Sequence, residues 1–238
     1  MMEGEPFAQV PAAEPGVPEA ELPRTFGSVS YWLRRAAGVP VGEDGLFDKR
    51  RKEIHRYTIA DVNGPLTLTV PIVKPHGKAY ARWSDVALSS HGEWWHVHRT
   101  ALESAYGRTP FFEFYIDRFA PFVSPEAVGR FRSILDYNRA IDAQIEELLL
   151  LPITAASNGA CGPVTAAGFS KAGFLPLPGF PGELCEPYWQ PRAAQLGFIP
   201  DLSILDLLFC LGPEAALWIR RALKRISAPT APASPTLQ

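Results

Sequence analysis

The stretch Glu53-Ile-His-Arg-Tyr-Thr-Ile59, Ala-Asp-Val-Asn-Gly-Pro65, Leu66-Thr-Leu-Thr-Val-Pro-Ile-Val73 decides the fold class. It holds two β-prone runs, 53–59 and 66–73, on either side of Asn63-Gly64. Asn-Gly is a turn signal because both residues tolerate positive φ, so the two runs are predicted to form a hairpin. In the second run aliphatic residues alternate with threonine and proline, as in a strand with one buried face. Pro71 places the end of that strand at an edge or a bulge.

Helical patterns dominate the remainder of the chain, outward from this hairpin. Glycine, proline and capping residues bound helices predicted over 30–37, 93–107, 111–119, 125–151, 203–211 and 214–226. Ser203 is a plausible N-cap with Asp206 three positions on. A further short strand is predicted at 86–89. The expected fold is mixed α/β, with a small N-terminal sheet and a mostly helical C-terminal half. The runs Gly27–Trp32 and Val39–Val41 suggest a Rossmann-like unit within that sheet.

Composition predicts one globular domain. The chain has 238 residues, of which 47% are hydrophobic and 20% charged, as in ordinary globular proteins. Residues 1–24 and 227–238 are poor in large apolar side chains and are expected to be disordered, which leaves 25–226 as the domain. The Gly- and Pro-rich segment 152–200 is too long for an ordinary connection and is either a functional loop or a partly disordered insert.

Several function classes are disfavoured. The net charge of −2 gives no support for nucleic-acid binding, and no apolar run is long enough to span a bilayer. The N-terminus lacks the features of a secretory signal, so a cytoplasmic location is expected. Cys161, Cys185 and Cys210 form neither a disulfide framework nor a CxxC pair; Cys210 is predicted to be core, and Cys161 is either a functional exposed thiol or inert. The motifs GxGxxG, GxxxxGK[ST], GxSxG and HExxH are absent.

A basic segment is the first candidate site. Lys49-Arg-Arg-Lys52 with His55 and Arg56 could hold a phosphate or a nucleotide sugar, because the guanidinium fork binds oxyanions in a bidentate manner. The alternative is a solvated loop that leads into a strand. Arg56 is favoured over its neighbours because the strand fixes its direction.

The aromatic stretch 91–115 is the second candidate. On a helix, Trp94 and His98 share one face and Tyr106 lies on the adjacent one. His98 is either a general base with a pKa near neutral or a core histidine. His91, His96 and His98 lie on different faces, so no metal site is predicted. The aromatic residues of 110–115 are expected to pack in the core, and Glu113 or Asp117 could face a cleft. The cations of 220–225 are explained by the helix dipole.

The chain resembles the WbqC-like family of bacterial proteins. The resemblance runs from about Phe26 to Glu214 and is carried by four segments: Lys49 to Ile72, His91-Gly-Glu-Trp-Trp-His-Val-His98, Ala105-Tyr-Gly-Arg-Thr-Pro-Phe-Phe-Glu-Phe-Tyr115 and Phe198-Ile-Pro-Asp-Leu-Ser-Ile-Leu-Asp-Leu-Leu-Phe-Cys-Leu-Gly-Pro-Glu214. Tyr188 and Gln190 match a short Pro-Tyr-x-Gln element that precedes the last segment. The chain departs from the family pattern at 38–45, where Glu43 or Asp44 is the nearest substitute for an acidic residue.

The resemblance implies a bacterial cytoplasmic protein that is linked to surface-polysaccharide (O-antigen) synthesis. The expected activity is transfer of an acyl or aminoacyl group to a nucleotide-linked amino sugar; the alternative is a non-enzymatic binding or assembly protein of the polysaccharide machinery. The matching polar positions are Lys49, Arg56, Asn63, Trp94, His98, Tyr106 and Asp206. The turn explains Asn63 and helix capping explains Asp206. Of the remainder, His98 and Tyr106 are the candidate catalytic residues and Lys49, Arg56 and Trp94 the candidate substrate-binding residues. The sequence names no cofactor, and the expected ligand is a nucleotide sugar or another phosphorylated small molecule.

Overall fold

The computed structural model describes residues 21–75, 80–150 and 186–227. Within these ranges the chain forms eight α-helices and four short strands, and the helices dominate after residue 90. The strands are β1 (Arg56–Asp61), β2 (Gly64–Thr69), β3 (Ile72–Val73) and β4 (Ala87–Leu88). The helices are α1 (Val29–Ala36), α2 (Trp94–Tyr106), α3 (Phe112–Phe119), α4 (Glu126–Arg130), α5 (Ile134–Leu149), α6 (Ala193–Leu196), α7 (Ile204–Leu211) and α8 (Glu214–Ser227).

The predicted hairpin is confirmed. Strands β1 and β2 pair antiparallel, from Arg56 opposite Thr69 to Asp61 opposite Gly64. Gly64 has a φ of +112°, which only glycine adopts without strain. Alternate residues of β1, Tyr57 and Ile59, are buried, while Arg56 belongs to the opposite face of the strand.

The mixed α/β class is confirmed, but the Rossmann-like unit is not. Both sheets of the described residues are two-stranded and antiparallel, β1 with β2 and β3 with β4. Val41 makes only an isolated parallel bridge with Glu21. A Rossmann unit requires parallel strands joined by a crossover helix, and neither described sheet has them.

The prediction of a single helix over 125–151 is wrong. The chain forms α4 and α5 instead, because Phe131 is extended with φ of −105° and ψ of 132°. Ser133 then caps α5 by accepting a hydrogen bond from the Asp136 backbone N–H at 3.2 Å. The backbone amide of Ile134, the first residue of α5, donates to the carbonyl oxygen of Val86 at 2.8 Å. This long-range bond fixes the start of α5.

Helix α7 lies at the centre of the core. Residues 204–210 are all buried, and the helix contacts α1, α3, α8 and β1. Ser203 caps it as predicted, since its hydroxyl oxygen accepts from the Leu205 N–H at 3.3 Å. Cys210 is a buried free thiol, also as predicted. A helix buried on all sides and joined to three other helices and a strand is suited to fix the elements around it.

Some predictions fall outside the described residues. These are the disorder of 1–20 and 228–238, the state of 151–185, and the character of Cys161 and Cys185. The described chain includes Leu22, a buried core residue within the segment that was assigned to the N-terminal tail. In the described portion no helix is both long and apolar enough to cross a membrane.

Candidate functional site: a cationic groove

A groove lies where the N-terminal ends of α1 and α7 meet the hairpin. It encloses about 330 Å³, within the range of small-molecule sites. We call it the cationic groove, and its described lining residues are Arg24, Phe26, Gly27, Ser28, Lys52, Glu53, Arg56, Tyr57, Thr58, Thr67, Asp201 and Ser203.

Backbone hydrogen bonds tie these three parts of the chain together. The amide of Val29, the first residue of α1, donates to the Leu202 carbonyl at 2.9 Å, and the amide of Ile204, the first of α7, donates to the Gly27 carbonyl at 2.9 Å. The Ser203 amide donates to the Thr58 carbonyl of β1 at 2.8 Å. The groove therefore has a fixed framework built from segments far apart in sequence.

The charged side chains of the groove are three cations and two carboxylates, Arg24, Lys52, Arg56, Glu53 and Asp201. Glu53 accepts from the Arg51 Nε at 3.0 Å. Asp201 accepts from the backbone N–H of Ser30 at 2.8 Å and from its hydroxyl at 3.0 Å. The partners of both carboxylates lie outside the set of groove cations.

Arg24 and Arg56 carry the unmet hydrogen-bonding capacity of the groove. The Nε atom of each is buried and has no hydrogen-bond partner among the described residues. The contact of Arg24 with Glu21 involves Nη2 and is long, 3.8 Å. A buried donor without an acceptor costs about 1–3 kcal/mol, more when it is charged. An oxyanion bound in the groove would supply the acceptor.

The rest of the basic segment is less suited to bind a ligand. Arg50 forms an ion pair with Asp48 at 2.8 Å, and Arg51 forms one with Glu53. Lys49 is exposed and is not among the described lining residues, whereas Lys52 is. The role of Lys49 in substrate binding stays a prediction. Lys52 is the better placed lysine for that role, because it lines the groove.

His98 is buried behind the hairpin and is 2% exposed. Its Nε2 lies 3.1 Å from the Thr69 carbonyl oxygen, which can only accept, so Nε2 carries the proton. Its Nδ1 then accepts from the Tyr57 hydroxyl at 3.0 Å. Burial lowers the pKa of His98 from 6.5 to about 4, although the hydrogen bond to Thr69 opposes this shift. The general-base role stays a prediction, and this burial counts against it.

Tyr106 and Trp94 are likewise packed in the interior. Tyr106 is fully buried, and its hydroxyl accepts the Ala60 backbone N–H at 3.1 Å. Trp94 is 4% exposed and donates from Nε1 to the Ser89 carbonyl oxygen at 2.9 Å. Neither is among the described groove residues, so the structure does not bring them together with Arg56. Their predicted roles in catalysis and substrate binding stay predictions.

The explanation of Asp206 as a helix-capping residue is wrong. Its side chain does not cap α7 but is fully buried. Its Oδ2 accepts from the Tyr188 hydroxyl at 2.5 Å and from the Gln190 Nε2 at 2.9 Å, while its Oδ1 is buried and has no hydrogen-bond partner among the described residues. Burial raises the pKa of Asp206, while its hydrogen bonds with Tyr188 and Gln190 lower it. The match of Tyr188 and Gln190 to the family element was the sequence signal for this cluster.

A second buried cluster joins α1 to α5. Asp142 Oδ2 accepts from the Tyr31 hydroxyl at 2.6 Å and pairs with the Arg35 Nη1 at 2.7 Å. Arg35 also pairs with Glu146 and lies over the ring of Trp32, 5.0 Å from its centroid. Burial raises the pKa of Asp142 to about 7, although the Arg35 charge and the Tyr31 hydrogen bond lower it. These contacts hold α1 against α5, which is a structural role.

The other acidic candidates lie elsewhere. Glu113 and Asp117 are exposed on α3 and are not described groove residues. Asp44 accepts from the Ser84 hydroxyl at 2.7 Å and from the Arg82 Nε at 2.8 Å. Burial alone would raise the pKa of Asp44, but these hydrogen bonds lower it overall. Over 21–75, 80–150 and 186–227 no group of three or more His, Cys, Asp and Glu side chains could hold a metal ion.

The fold is mixed α/β, and the side chains that line the groove include three cations and two carboxylates. A sequence model of the WbqC-like protein family matches residues 41–164, more than half of the chain. The chain belongs to the WbqC-like family. The match includes the hairpin, Lys52 and Arg56, and it stops short of Asp206. No curated protein and no solved structure matches the chain.

Proposed function

We propose that this WbqC-like protein binds a phosphorylated small molecule in the cationic groove, with Arg24, Lys52 and Arg56 as the phosphate-binding residues. The observation that carries the proposal is the pair of groove arginines whose buried Nε–H groups have no partner among the described residues. A phosphate has several acceptor oxygens and a negative charge, so it is the kind of ligand that guanidinium groups bind. The size of the groove agrees with a small ligand.

The natural ligand in this proposal is a nucleotide-linked amino sugar, handled in the bacterial cytoplasm during surface-polysaccharide synthesis. Membership of the WbqC-like family supports this setting. The groove geometry supports recognition of the phosphate part. Family resemblance alone supports the finer proposal of acyl or aminoacyl transfer to the sugar amine.

Binding is better supported than group transfer. A transferase needs a proton acceptor beside the sugar amine. His98 has both ring nitrogens hydrogen-bonded and is not a described groove residue. Of the described lining, Glu53 and Asp201 have carboxylates, and both already accept hydrogen bonds. This arrangement favours the alternative of a non-enzymatic binding or assembly protein.

Calorimetric titration tests the proposal, with pyrophosphate and a UDP-linked amino sugar as ligands. Replacement Arg56→Gln removes a charge-assisted hydrogen bond of about 1.5–3 kcal/mol, so the Kd should rise about ten- to hundredfold. The control Arg99→Gln removes an exposed arginine that pairs with Glu103 on α2, and its Kd should match the wild type. Absence of binding to both ligands by the wild-type protein would refute the proposal.

A second matched pair separates the groove from general positive charge. Lys52 and Lys49 are both exposed lysines of one basic segment, but only Lys52 is among the described groove residues. We expect Lys52→Gln to weaken pyrophosphate binding more than Lys49→Gln does, at the same ionic strength. An equal loss of affinity in the two variants would show that the positive charge of the whole segment attracts pyrophosphate, and not Lys52 in the groove.

A further inference from the structure

The buried cluster around Asp206 is connected to the groove through one turn of the chain. Gln190 donates from Nε2 to the Asp206 Oδ2 at 2.9 Å and to the Ile199 carbonyl oxygen at 3.0 Å. Its Oε1 accepts the Ile199 backbone N–H at 2.9 Å. One amide side chain therefore joins the Asp206 carboxyl to the start of the segment 199–204.

The same segment anchors both parts of the chain that carry the groove arginines. The Ser203 amide donates to the Thr58 carbonyl, two residues after Arg56. The Ser203 hydroxyl donates to the Phe26 carbonyl oxygen at 2.8 Å, two residues after Arg24. The position of this one serine therefore bears on both arginine-bearing segments.

A neighbour of the cluster is anchored on β1. The Tyr106 hydroxyl accepts the Ala60 backbone N–H at 3.1 Å, and burial together with the nearby Asp206 carboxyl raises the pKa of Tyr106. Ala60 belongs to the same strand as Arg56. A buried carboxyl that is hydrogen-bonded from several elements stabilises their relative positions, because leaving any of these groups without a partner in the interior is costly.

We infer that Asp206 is a positioning residue of the cationic groove. Through Tyr188 and Gln190 it holds the segment 199–204, and that segment holds the strand and the loop that carry Arg56 and Arg24. The inference rests on the proposed function for its ligand measurement. It goes beyond the function because it assigns the groove geometry to residues outside the groove lining and outside the family match at 41–164.

A pair of tyrosine replacements tests this role. Tyr188→Phe removes the hydroxyl that donates to Asp206. The control Tyr137→Phe also removes a hydroxyl from a fully buried tyrosine, one that donates to the Phe122 carbonyl oxygen at 3.0 Å and is not a described groove contact. Both variants keep the ring, so both are expected to fold with a modest loss of stability.

Amide hydrogen exchange and pyrophosphate titration are measured on both variants. Tyr188→Phe leaves the buried Asp206 carboxyl without its hydroxyl donor, so it should speed exchange at the Ile199 and Ser203 amides about tenfold. It should also raise the Kd for pyrophosphate, whereas Tyr137→Phe should leave both properties near the wild-type values. Equal exchange at these two amides in the two variants, or an unchanged Kd in Tyr188→Phe, would overturn the inference.

The two proposals fail in different ways. If the wild-type protein binds no pyrophosphate, the proposed function fails and the exchange measurement alone decides the positioning role. Faster exchange confined to 199–204 in Tyr188→Phe then supports it, and exchange equal to that of Tyr137→Phe refutes it.

Discussion

Acidification should weaken the fold through His98. The ring is neutral and buried, with Nε2 donating to the Thr69 carbonyl and Nδ1 accepting from Tyr57. Its pKa is about 4 in the folded protein and 6.5 when unperturbed. The folded pKa is depressed, so the unfolded chain takes up the proton first as the pH falls. The stabilising contribution is complete above pH 6.5, declines between pH 6.5 and 4, and is lost below the folded pKa.

The size of this effect follows from the shift. Lowering the pKa of His98 from 6.5 in the unfolded chain to about 4 in the folded protein corresponds to about 3 kcal/mol of unfolding free energy. Asp142 acts in the opposite direction, because its pKa is raised to about 7 from 3.8, and its contribution is lost as the pH rises through that window. The pH dependence of the wild type alone therefore combines two opposed contributions.

A difference measurement isolates His98. The free energy of unfolding is measured by urea denaturation from pH 4 to pH 8 for the wild type and for His98→Gln, whose amide does not titrate. Asp142 is present in both proteins, so its contribution cancels. We expect the advantage of the wild type over the variant to shrink by about 3 kcal/mol from pH 7 to pH 4. Parallel curves would show that His98 is not a buried neutral histidine.

Two further predictions concern stability. Tyr31→Phe leaves the buried Asp142 carboxyl without its hydroxyl donor and should lower the unfolding free energy by about 1–3 kcal/mol, while Tyr115→Phe, at a half-exposed ring, should change it little; thermal melts would measure both. Gly129→Ala in α4, where a Cβ meets open space, should stabilise by about 0.5–1 kcal/mol, whereas Gly64→Ala at φ +112° should destabilise by at least a comparable amount. A stabilising Gly64→Ala would contradict the turn geometry.

The sequence predicted what depends on local chemistry. Asn63-Gly64 favours a tight turn through its own backbone, so the hairpin could be predicted from these two residues. The cap of α7 could also be predicted, because Ser203 accepts from an amide only two residues further along the chain. The break at Phe131 escaped prediction because the apolar spacing continues across it, and the long-range bond from Ile134 to Val86 fixes it.

The groove could not be predicted because its parts meet only after folding. Asp201 accepts the backbone N–H of Ser30, 171 residues away in the sequence. The segments that carry Arg24 and Arg56 are held by Ser203, whose hydroxyl donates to the Phe26 carbonyl and whose amide donates to the Thr58 carbonyl. Spacing along a helix placed His98 beside aromatic residues correctly, but it did not say whether that face is buried or lines a cleft. In the structure that face packs on the hairpin.

Crystals grown with pyrophosphate test most directly whether Arg24 and Arg56 hold a phosphate in one groove, because they show where the anion lies. We predict the anion in the groove, with its oxygens within about 3 Å of a guanidinium nitrogen of each arginine. An anion bound elsewhere while the groove stays without one, at a concentration that saturates binding in solution, would contradict the claim.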